Sequence, residues 1–389
     1  MNAKKLAEVQ DFLLGHGLQG WLVCDFRGAN PFAARVLGLG EGIFTRRWFL
    51  WVPARGEPRL LIHDIEALSF RGLGLELTGY NGRESLRAGL GKLLGRAKRI
   101  AMEYSPENNN PYVSRVDAGT VELVRGYGLE VVSSGDLLQL FPTWNASQLA
   151  HHRKAAKVLA GVKDAAFALL RERVAGHVPI TEHELQSFML NLLHQQGMET
   201  DHAPTVAFGD RVGVGHYSPS AGDPRALEPG PVLLDLWCKA PGDNPYADIA
   251  WMAYWGTPGE EFSRAFAAAL AARDLAVEFL QARFASSQQV LGYEVDRLVR
   301  QSLAEAGFGG RMRRRTGHSL GTAAVHGEAA HFDDFETLDD RAVLPRLGYT
   351  LEPGFPLSRY GVHTEINVYT HKNRVEVTTP VQRELIRLG

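Results

Sequence analysis

Four carboxylates stand inside apolar, strand-like segments, and this arrangement constrains the fold more than any other feature of the sequence. Asp235 interrupts VLLDLWCK and Asp248 interrupts ADIAWMAYW, while Glu352 lies in YTLEPGF and Glu365 in VHTEINVYT. An ionised carboxylate in apolar surroundings is costly unless it is paired, hydrogen-bonded or bound to a metal. One such acid could end a strand or form an ion pair, but four of them need a common explanation.

The spacing of the four acids supplies such an explanation. Thirteen residues separate Asp235 from Asp248, and the same interval separates Glu352 from Glu365. We therefore predict two strand–turn–strand units, each presenting two acids from adjacent strands, and the equal spacing hints at an internal duplication. Converging carboxylate oxygens are ligands for divalent cations, and shared carboxylates can bridge two ions.

Three histidines in glycine-containing segments add to this pattern. His318 lies in RTGHSLGT, His326 lies in AVHGE, and His216 lies in GVGHYSPS, a loop that precedes the first acid. Imidazole is a common ligand of transition metals. A lone histidine is more often a surface or core residue, and that interpretation is favoured for His202 and His331.

The composition is that of an ordinary globular protein with a sizeable core. Of the 389 residues, 45% are hydrophobic and 22% are charged, and the net charge is -2. No basic stripe suits nucleic-acid phosphates, and no apolar run approaches the roughly 20 residues of a membrane span. With two cysteines and no visible signal peptide, we expect a soluble cytoplasmic protein with neither nucleic acid nor membrane as a partner.

The chain changes character near residues 142–148, where we place a domain boundary. Residues 1–145 alternate strand-like segments, such as GWLVCDF, RRWFLWVP and RLLIHD, with amphipathic helices. This alternation is typical of an α/β layer with a buried sheet. Residues 146–389 are richer in long helices, which the apolar periodicity predicts over 181–196, 258–284 and 287–306.

In this order, the chemistry-bearing residues resemble those of the pita-bread metallopeptidases, the family of methionine aminopeptidase, aminopeptidase P and prolidase. The most specific segments are TGHSLG, LEPGF and GVHTEI. The family pattern of His, Asp, Asp, His, His, Glu and Glu is matched by His216, Asp235, Asp248, His318, His326, Glu352 and Glu365. The resemblance implies an α+β fold, in which an N-terminal creatinase-like α/β domain (1–145) precedes a pita-bread catalytic domain (146–389) with pseudo-twofold symmetry.

The resemblance also implies a role for each of these residues. Two divalent metal ions, for which Mn, Co and Zn are all suitable, would be bound by Asp235, Asp248, His318, Glu352 and Glu365. Asp248 and Glu365 would bridge the ions, and a hydroxide shared by the ions would attack the substrate. His216 and His326 would contact the substrate and assist catalysis, and Glu352 is favoured as the group that moves protons.

The N-terminal third distinguishes between branches of this family. The segments CDFRGANPFAARVLG, TRRWFLWVP and AMEYSPENNNPYVSRVDAGT resemble the extra domain of prolidase and aminopeptidase P, which methionine aminopeptidases lack. The implied substrate is therefore the Xaa-Pro bond of a dipeptide or short peptide, and a homodimer is expected. Dipeptidase and longer-peptide aminopeptidase remain open. Arg341, or the Arg46–Arg47 pair, could hold a substrate carboxylate.

Three departures from the family pattern are visible. Trp237 stands where a glycine usually follows the first ligand, and His363 stands where an arginine usually precedes the last glutamate by two. The interval from His318 to His326 is one residue longer than usual. His363 therefore joins the candidate substrate-binding residues. Two alternatives stay open, a metal-free creatinase-type hydrolase and a non-catalytic binding protein of the same fold, although each should have lost ligands that this chain keeps.

Overall fold

The computed structural model describes residues 1–39, 44–215 and 217–389. Within these ranges the chain forms two units, Met1–Leu140 and Phe141–Gly389. We expected the domain boundary between residues 145 and 146, a few residues after the point where these two units meet in the sequence. That boundary stays a prediction. Among the described helices, none is long and apolar enough to cross a membrane.

The first unit is built on one mixed sheet with helices between its strands. Its helices are α1 (Ala3–Gly15), α2 (Pro31–Leu37), α3 (Ala67–Phe70), α4 (Arg83–Leu94), α5 (Ala118–Arg125) and α6 (Gly135–Leu138). Its strands are β1 (Gly20–Asp25), β2 (Trp48–Pro53), β3 (Arg59–His63), β4 (Glu76–Tyr80), β5 (Arg99–Met102) and β6 (Glu130–Ser133). The strand order is β4-β3-β2-β1-β5-β6. Strand β2 pairs antiparallel with both neighbours, and the other pairs are parallel.

Apolar burial accounts for these strands. Strands β1 and β2 are buried almost throughout, with Trp21, Leu22 and Phe49 fully inaccessible to solvent. Such side chains stabilise the fold by leaving water. The strand-like segments of the sequence analysis therefore form the centre of the sheet. Strand β4 was not predicted, because its residues ELTGY lie at the sheet edge and only the last of them is buried.

A buried carboxylate, Glu103, connects several elements of the first unit. Trp21 Nε1 donates to Glu103 Oε1 at 2.5 Å, Asn30 Nδ2 donates to Oε2 at 2.8 Å, and Ser134 Oγ donates to Oε1 at 3.1 Å. These bonds link the end of β5 to β1, to the start of α2 and to the segment after β6. Burial nevertheless raises the pKa of Glu103 to about 7, although the hydrogen bonds act in the opposite direction.

In the residues that the structure describes, the second unit consists of long helices and three small sheets. Its helices are α7 (Ala146–Ala175), α8 (Glu182–Gln195), α9 (Glu260–Ala285) and α10 (Gly292–Glu305). Its strands are β7 (Thr205–Phe208), β8 (Gly230–Cys238), β9 (Ala247–Trp255), β10 (Gly348–Leu351), β11 (Gly354–Pro356), β12 (Gly361–His363), β13 (Ile366–Thr370), β14 (Val375–Val377) and β15 (Ile386–Arg387). The sheet orders are β15-β9-β8-β7, β10-β13-β14 and β11-β12.

The second unit repeats one order of elements, a long helix, a 14-residue helix and an antiparallel strand pair. The 14-residue helices α8 and α10 begin alike. Glu184 accepts a hydrogen bond from the backbone N–H of Thr181, and Glu294 accepts one from the N–H of Leu291. Helix α7 packs on β8 and β9, while α9 packs on β10, β12 and β14. The arrangement agrees with the expected pseudo-twofold symmetry.

The two segments that carry the glutamates are each broken at the acid. Glu352 and Pro353 separate β10 from β11, and Thr364 and Glu365 separate β12 from β13. The two segments pair antiparallel on both sides of the break. Pro353 has no N–H to donate, so a regular ladder cannot continue through it. Both glutamates therefore stand at a bend between strands, and the continuous strands expected from the sequence are corrected.

We expect Glu103 to lower the stability of the full chain as the pH rises from about 4.5 to about 7. Its pKa is higher in the folded state than its ordinary 4.5. The folded state therefore keeps a proton that the unfolded chain has released, and the unfolding free energy falls with pH. The slope can reach about 1.4 kcal/mol per pH unit. Denaturant titrations followed by tryptophan fluorescence should show a less steep slope in Glu103→Gln than in the parent protein, the remainder coming from other buried acids with a raised pKa, such as Asp235.

A matched control is Glu57→Gln, which changes an exposed carboxylate of the same unit. This variant should keep the slope of the parent protein. An unchanged slope in Glu103→Gln would show that another group is responsible.

Candidate metal centre

Backbone pairing brings three of the four acids to one place. In the β8–β9 ladder, Asp235 lies opposite Ala250, and Asp248 is two residues before Ala250 on β9. The two aspartates therefore project from the same face of the hairpin. The backbone N–H of Glu365 donates to the carbonyl of Ala250 at 3.2 Å. This bridge places the bend between β12 and β13 beside both aspartates.

The side chains form two overlapping groups of potential ligand atoms. In one group, the ligand atoms of Asp248, His318 and Glu365 all lie within 4.8 Å of one another. In the other, the same holds for Asp235, His363 and Glu365. Glu365 belongs to both groups, which is the position that a bridging ligand needs.

His318 is oriented by its own segment. Its Nδ1 lies 2.9 Å from the carbonyl of Ser319, to which it donates, so Nε2 presents its lone pair to the acids. Nε2 lies 3.4 Å from Glu352 Oε1 and 3.8 Å from Asp248 Oδ2. Burial, assisted by the charge of Arg315, lowers the pKa of His318 to about 3. The ring is therefore neutral, as a metal ligand must be.

Neighbouring polar groups hold the acids in place. Thr350 Oγ1 accepts from the backbone N–H of His318 at 2.9 Å and donates to Glu352 Oε1 at 3.1 Å. Asn367 Oδ1 accepts from the backbone N–H of Asp248 at 2.8 Å. These contacts connect the two strand pairs directly around the acids and limit the conformations that the acids can adopt.

A second layer of contacts supports the bend that carries Glu365. The guanidinium of Arg273, fully buried in α9, donates to Thr364 Oγ1 at 2.7 Å and to the carbonyl of Gln382 at 2.9 Å. Gln382 in turn accepts from the backbone N–H of Met252 in β9 at 2.9 Å. The bend is thus tied to the same strand that carries Asp248.

The acids repel one another in this buried position. Asp248 Oδ1 and Glu365 Oε1 are buried, and neither has a hydrogen-bond partner in the described parts of the chain. Burial, followed by the charges of neighbouring acids, raises the pKa of Asp248 and of Glu365 well above the usual range. Burial also raises the pKa of Asp235 to about 7, against the attraction of Arg314.

A divalent cation would relieve both the repulsion and the unsatisfied oxygens. Carboxylates with one imidazole form a donor set that Mn, Co and Zn accept. The residues that converge here therefore fit divalent metal ions, and the shared position of Glu365 fits two of them.

The remaining predicted residues occupy different environments. His326 is exposed, and its ring meets that of His318 edge-on, with centroids 4.2 Å apart. His326 is therefore beside His318 and open to solvent. His216 lies outside the described residues. His363 is buried beside Asp235 and belongs to the second ligand group.

Arg341 is engaged elsewhere. It is buried, and its guanidinium donates to Asp339 at 2.6 and 2.8 Å and to the carbonyls of Glu328 and Ala329, both at 2.9 Å. These bonds hold the loop that follows His326. They favour a structural role for Arg341 over the expected contact with a substrate carboxylate.

Sequence reasoning missed Arg314, whose guanidinium contacts His363 and acts on two of the acids through its charge. Its Nη2 donates to Nδ1 of His363 at 2.5 Å. Its positive charge also opposes the rise in the pKa of Asp235 and of Glu365 that burial causes. A signal was available, since the run RMRRRTGH places several arginines immediately before His318.

Comparison with known proteins places this geometry in a family. Residues 150–372 match the model of metallopeptidase family M24. An uncharacterized peptidase of Staphylococcus haemolyticus is 25% identical over 263 residues, which cover 66% of this chain and 69% of that protein. An uncharacterized peptidase of Staphylococcus aureus is 22% identical over 334 residues, which cover 84% of each chain.

Solved structures share the fold over nearly the whole length. Dipeptidase PepE from Mycobacterium ulcerans has a TM-score of 0.68 at 22% identity, covering 99% of this chain and 97% of its own. A prolidase from Thermococcus sibiricus has a TM-score of 0.60 at 18% identity, with coverages of 100% and 99%. An Xaa-Pro dipeptidase from Bacillus anthracis has a TM-score of 0.57 at 20% identity, with coverages of 99% and 100%. The pita-bread fold expected from the sequence is confirmed.

We expect Glu365→Gln to stabilise the metal-free protein and to weaken metal binding. The substitution removes a buried carboxyl whose ionisation is opposed by burial and by the neighbouring acids, so the unfolding free energy in a chelator should rise by about 1 to 3 kcal/mol. The same change replaces a carboxylate oxygen of the residue common to both ligand groups by an amide nitrogen. Thermal unfolding with and without chelator, together with metal content after dialysis, measures the two effects.

Glu384→Gln is the matched control, because Glu384 is an exposed glutamate of the same unit. This variant should change neither the stability of the metal-free protein nor its metal content after dialysis. A loss of stability of the metal-free Glu365→Gln protein would contradict the repulsion described above.

Proposed function

Because the chain belongs to metallopeptidase family M24, we propose that it hydrolyses the Xaa-Pro bond of dipeptides or short peptides with two divalent metal ions. The family match over residues 150–372 confirms the expected enzyme class, a metallopeptidase. The convergence of buried carboxylates around Glu365, which is common to both ligand groups, is the observation that carries the proposal of two ions. The proline preference is supported by the fold neighbours, which include a prolidase and an Xaa-Pro dipeptidase.

The proposed ligands divide between two halves of the centre. Asp235 and Glu365 would hold one ion, and Asp248, His318 and Glu365 would hold the other. Asp248 is proposed as the second bridging ligand, and its Oδ2 lies 3.8 Å from Nε2 of His318. Glu352 is proposed as a further ligand on the same side, and its Oε1 lies 3.4 Å from that nitrogen. When bound, the ions would polarise the scissile carbonyl and activate a water molecule. Mn, Co and Zn are equally acceptable.

The protein itself supplies proton transfer and hydrogen bonding. The Glu352 side chain is 13% exposed, and Thr350 holds one of its oxygens. Glu352 can therefore take a proton from the attacking water and pass it to the leaving nitrogen. His326, exposed beside His318, would donate to the oxygen that gains charge as the carbonyl is attacked. His216 is assigned the same kind of substrate contact by resemblance.

The proposed partners follow from this reaction. The substrate would be a short proline-containing peptide. A homodimer and a cytoplasmic location stay predictions. Dipeptidase and aminopeptidase activity on longer peptides remain alternatives, since dipeptidases and an X-prolyl aminopeptidase both occur among the fold neighbours.

We expect the metal-loaded protein to cleave Xaa-Pro or Xaa-Pro-Yaa peptides at least about tenfold faster, by kcat/KM, than the matched Xaa-Ala peptides. A chelator should abolish cleavage, and an added divalent metal should restore it. Comparing Xaa-Pro with Xaa-Pro-Yaa distinguishes a dipeptidase from an aminopeptidase. Two bound metal equivalents without cleavage of any proline peptide would favour a binding protein. Activity on a small amidine without metal would favour a creatinase-type hydrolase.

Asp248→Ala should abolish metal-dependent cleavage while the fold persists, because it removes a proposed bridging ligand. We expect a loss of about a thousandfold or more in kcat/KM, comparable to removing a central catalytic group. Circular dichroism should be unchanged. Asp243→Ala changes an exposed residue in the turn of the same hairpin and should keep full activity. Full activity in Asp248→Ala would refute its assignment as a bridge.

A further inference from the structure

We propose that Arg314 prevents His363 from acting as a metal ligand and thereby keeps the Asp235 half of the centre an oxygen site. The inference rests on the proposed two-metal centre and concerns which metals its two halves select. It assigns Arg314 as a positioning residue, because it acts through His363 and not on the substrate.

His363 is close enough to the acids to be a candidate ligand. It is 2% exposed, and one of its ring nitrogens lies within 4.8 Å of the ligand oxygens of both Asp235 and Glu365. If distance alone decided, the His363 ring would bind a metal ion together with these two carboxylates. The half next to Asp235 would then contain nitrogen, as the half with His318 does.

The hydrogen bond from Arg314 excludes that role. A guanidinium has only donors, so Nδ1 of His363 must accept the bond from Nη2 of Arg314 with its lone pair. In the neutral ring the hydrogen is then on Nε2. A protonated nitrogen has no lone pair for a metal, so neither ring nitrogen is available as a ligand. Nε2 is instead a donor, and it has no hydrogen-bond partner among the described residues.

The neighbouring backbone leaves room for the hydrogen bond between Arg314 and His363. A Cβ built on Gly354 would lie 2.4 Å from Nδ1 of His363 and 2.9 Å from Nη2 of Arg314. Only a glycine therefore leaves room for the two groups to meet. The segment that carries Arg314 is also fixed. Arg300, which is paired with the buried carboxylate of Asp296 at 2.6 Å, donates to the carbonyl of Arg314, also at 2.6 Å.

The consequence is a chemical difference between the halves. The half with His318 offers an imidazole, whereas the half with Asp235 offers carboxylate oxygens and an N–H donor. Imidazole favours Zn and other late transition metals, while carboxylates suit Mn. The Nε2–H of His363 can donate to a carboxylate oxygen or to water in the Asp235 half, which reinforces an oxygen-only environment.

The test replaces each partner and reads out metal binding, not turnover. The full chain, stripped of metal, is titrated with Co²⁺, whose visible absorption reports added nitrogen ligands, and with Zn²⁺ and Mn²⁺ in competition. The variants are Arg314→Met, His363→Gln and the double variant. Arg313→Met is the matched control, because Arg313 is the exposed neighbour of Arg314. Thermal unfolding of each metal-free protein verifies that it is folded.

In Arg314→Met, Nδ1 no longer has to accept, and the ring can present a lone pair to the metal. We expect the Co²⁺ spectrum of the second equivalent to change and the preference for Zn²⁺ over Mn²⁺ to rise about tenfold. His363→Gln alone should still bind two equivalents of Co²⁺ and should have the spectrum of the parent protein. The double variant should return to the parent spectrum, and Arg313→Met should not differ from it.

Three results would overturn the inference. A changed spectrum or a lost equivalent in His363→Gln would show that His363 already binds metal. If Arg314→Met had the Co²⁺ spectrum and the metal preference of the parent protein, Arg314 would not be what keeps His363 from binding metal. A change in Arg314→Met that persists in the double variant would show that it arises elsewhere. If the parent protein binds no Co²⁺ at all, the proposed two-metal centre itself fails, and the inference fails with it.

Discussion

The burial of several like charges in one place is the constraint on which the second unit depends. Each acid is held close to the others by backbone pairing, by Thr350 and Asn367, and by the guanidinium of Arg273 below the bend. Such an arrangement costs stability unless a counter-charge is present. Functional sites commonly retain this kind of local destabilisation because the reaction needs it. The long helices and paired strands around the acids supply the compensating apolar burial.

The repeated architecture explains how this cluster is built. One repeat supplies two aspartates from a regular hairpin, and the other supplies two glutamates from bends. The longer side chains of Glu352 and Glu365 extend from a backbone that has left the regular ladder at Pro353 and Thr364. The repeats are therefore similar in element order and different in how they present their acids. This difference lets four carboxylates meet without placing all of them on one strand pair.

The parts of the site that could be predicted were those encoded by local pattern. Acids inside apolar segments and their equal spacing identified Asp235, Asp248, Glu352 and Glu365, and helical periodicity located α8 and α10. The bends at the glutamates were missed because an apolar segment interrupted by a single acid has the pattern of a continuous strand, and only Glu352 is followed by a proline. Arg314 was missed because a long charged side chain is placed by tertiary contacts, and RMRRRTGH alone does not show which arginine turns inward. The hydrogen bonds of Arg341 were not predicted because, besides Asp339 two residues away, its acceptors are the carbonyls of Glu328 and Ala329, which only the folded loop brings near. Its contact with a substrate stays a prediction.

The hydrogen bond between Glu365 and the carbonyl of Ala250 also makes the ligand set depend on the packing of one repeat against the other. It joins parts of the chain that are far apart in sequence, so it forms only after the second repeat has folded onto the first. Before that moment neither repeat contains a complete set of ligands. Metal capture at this centre therefore requires that the two repeats are docked, and a bound metal would in turn hold the repeats together.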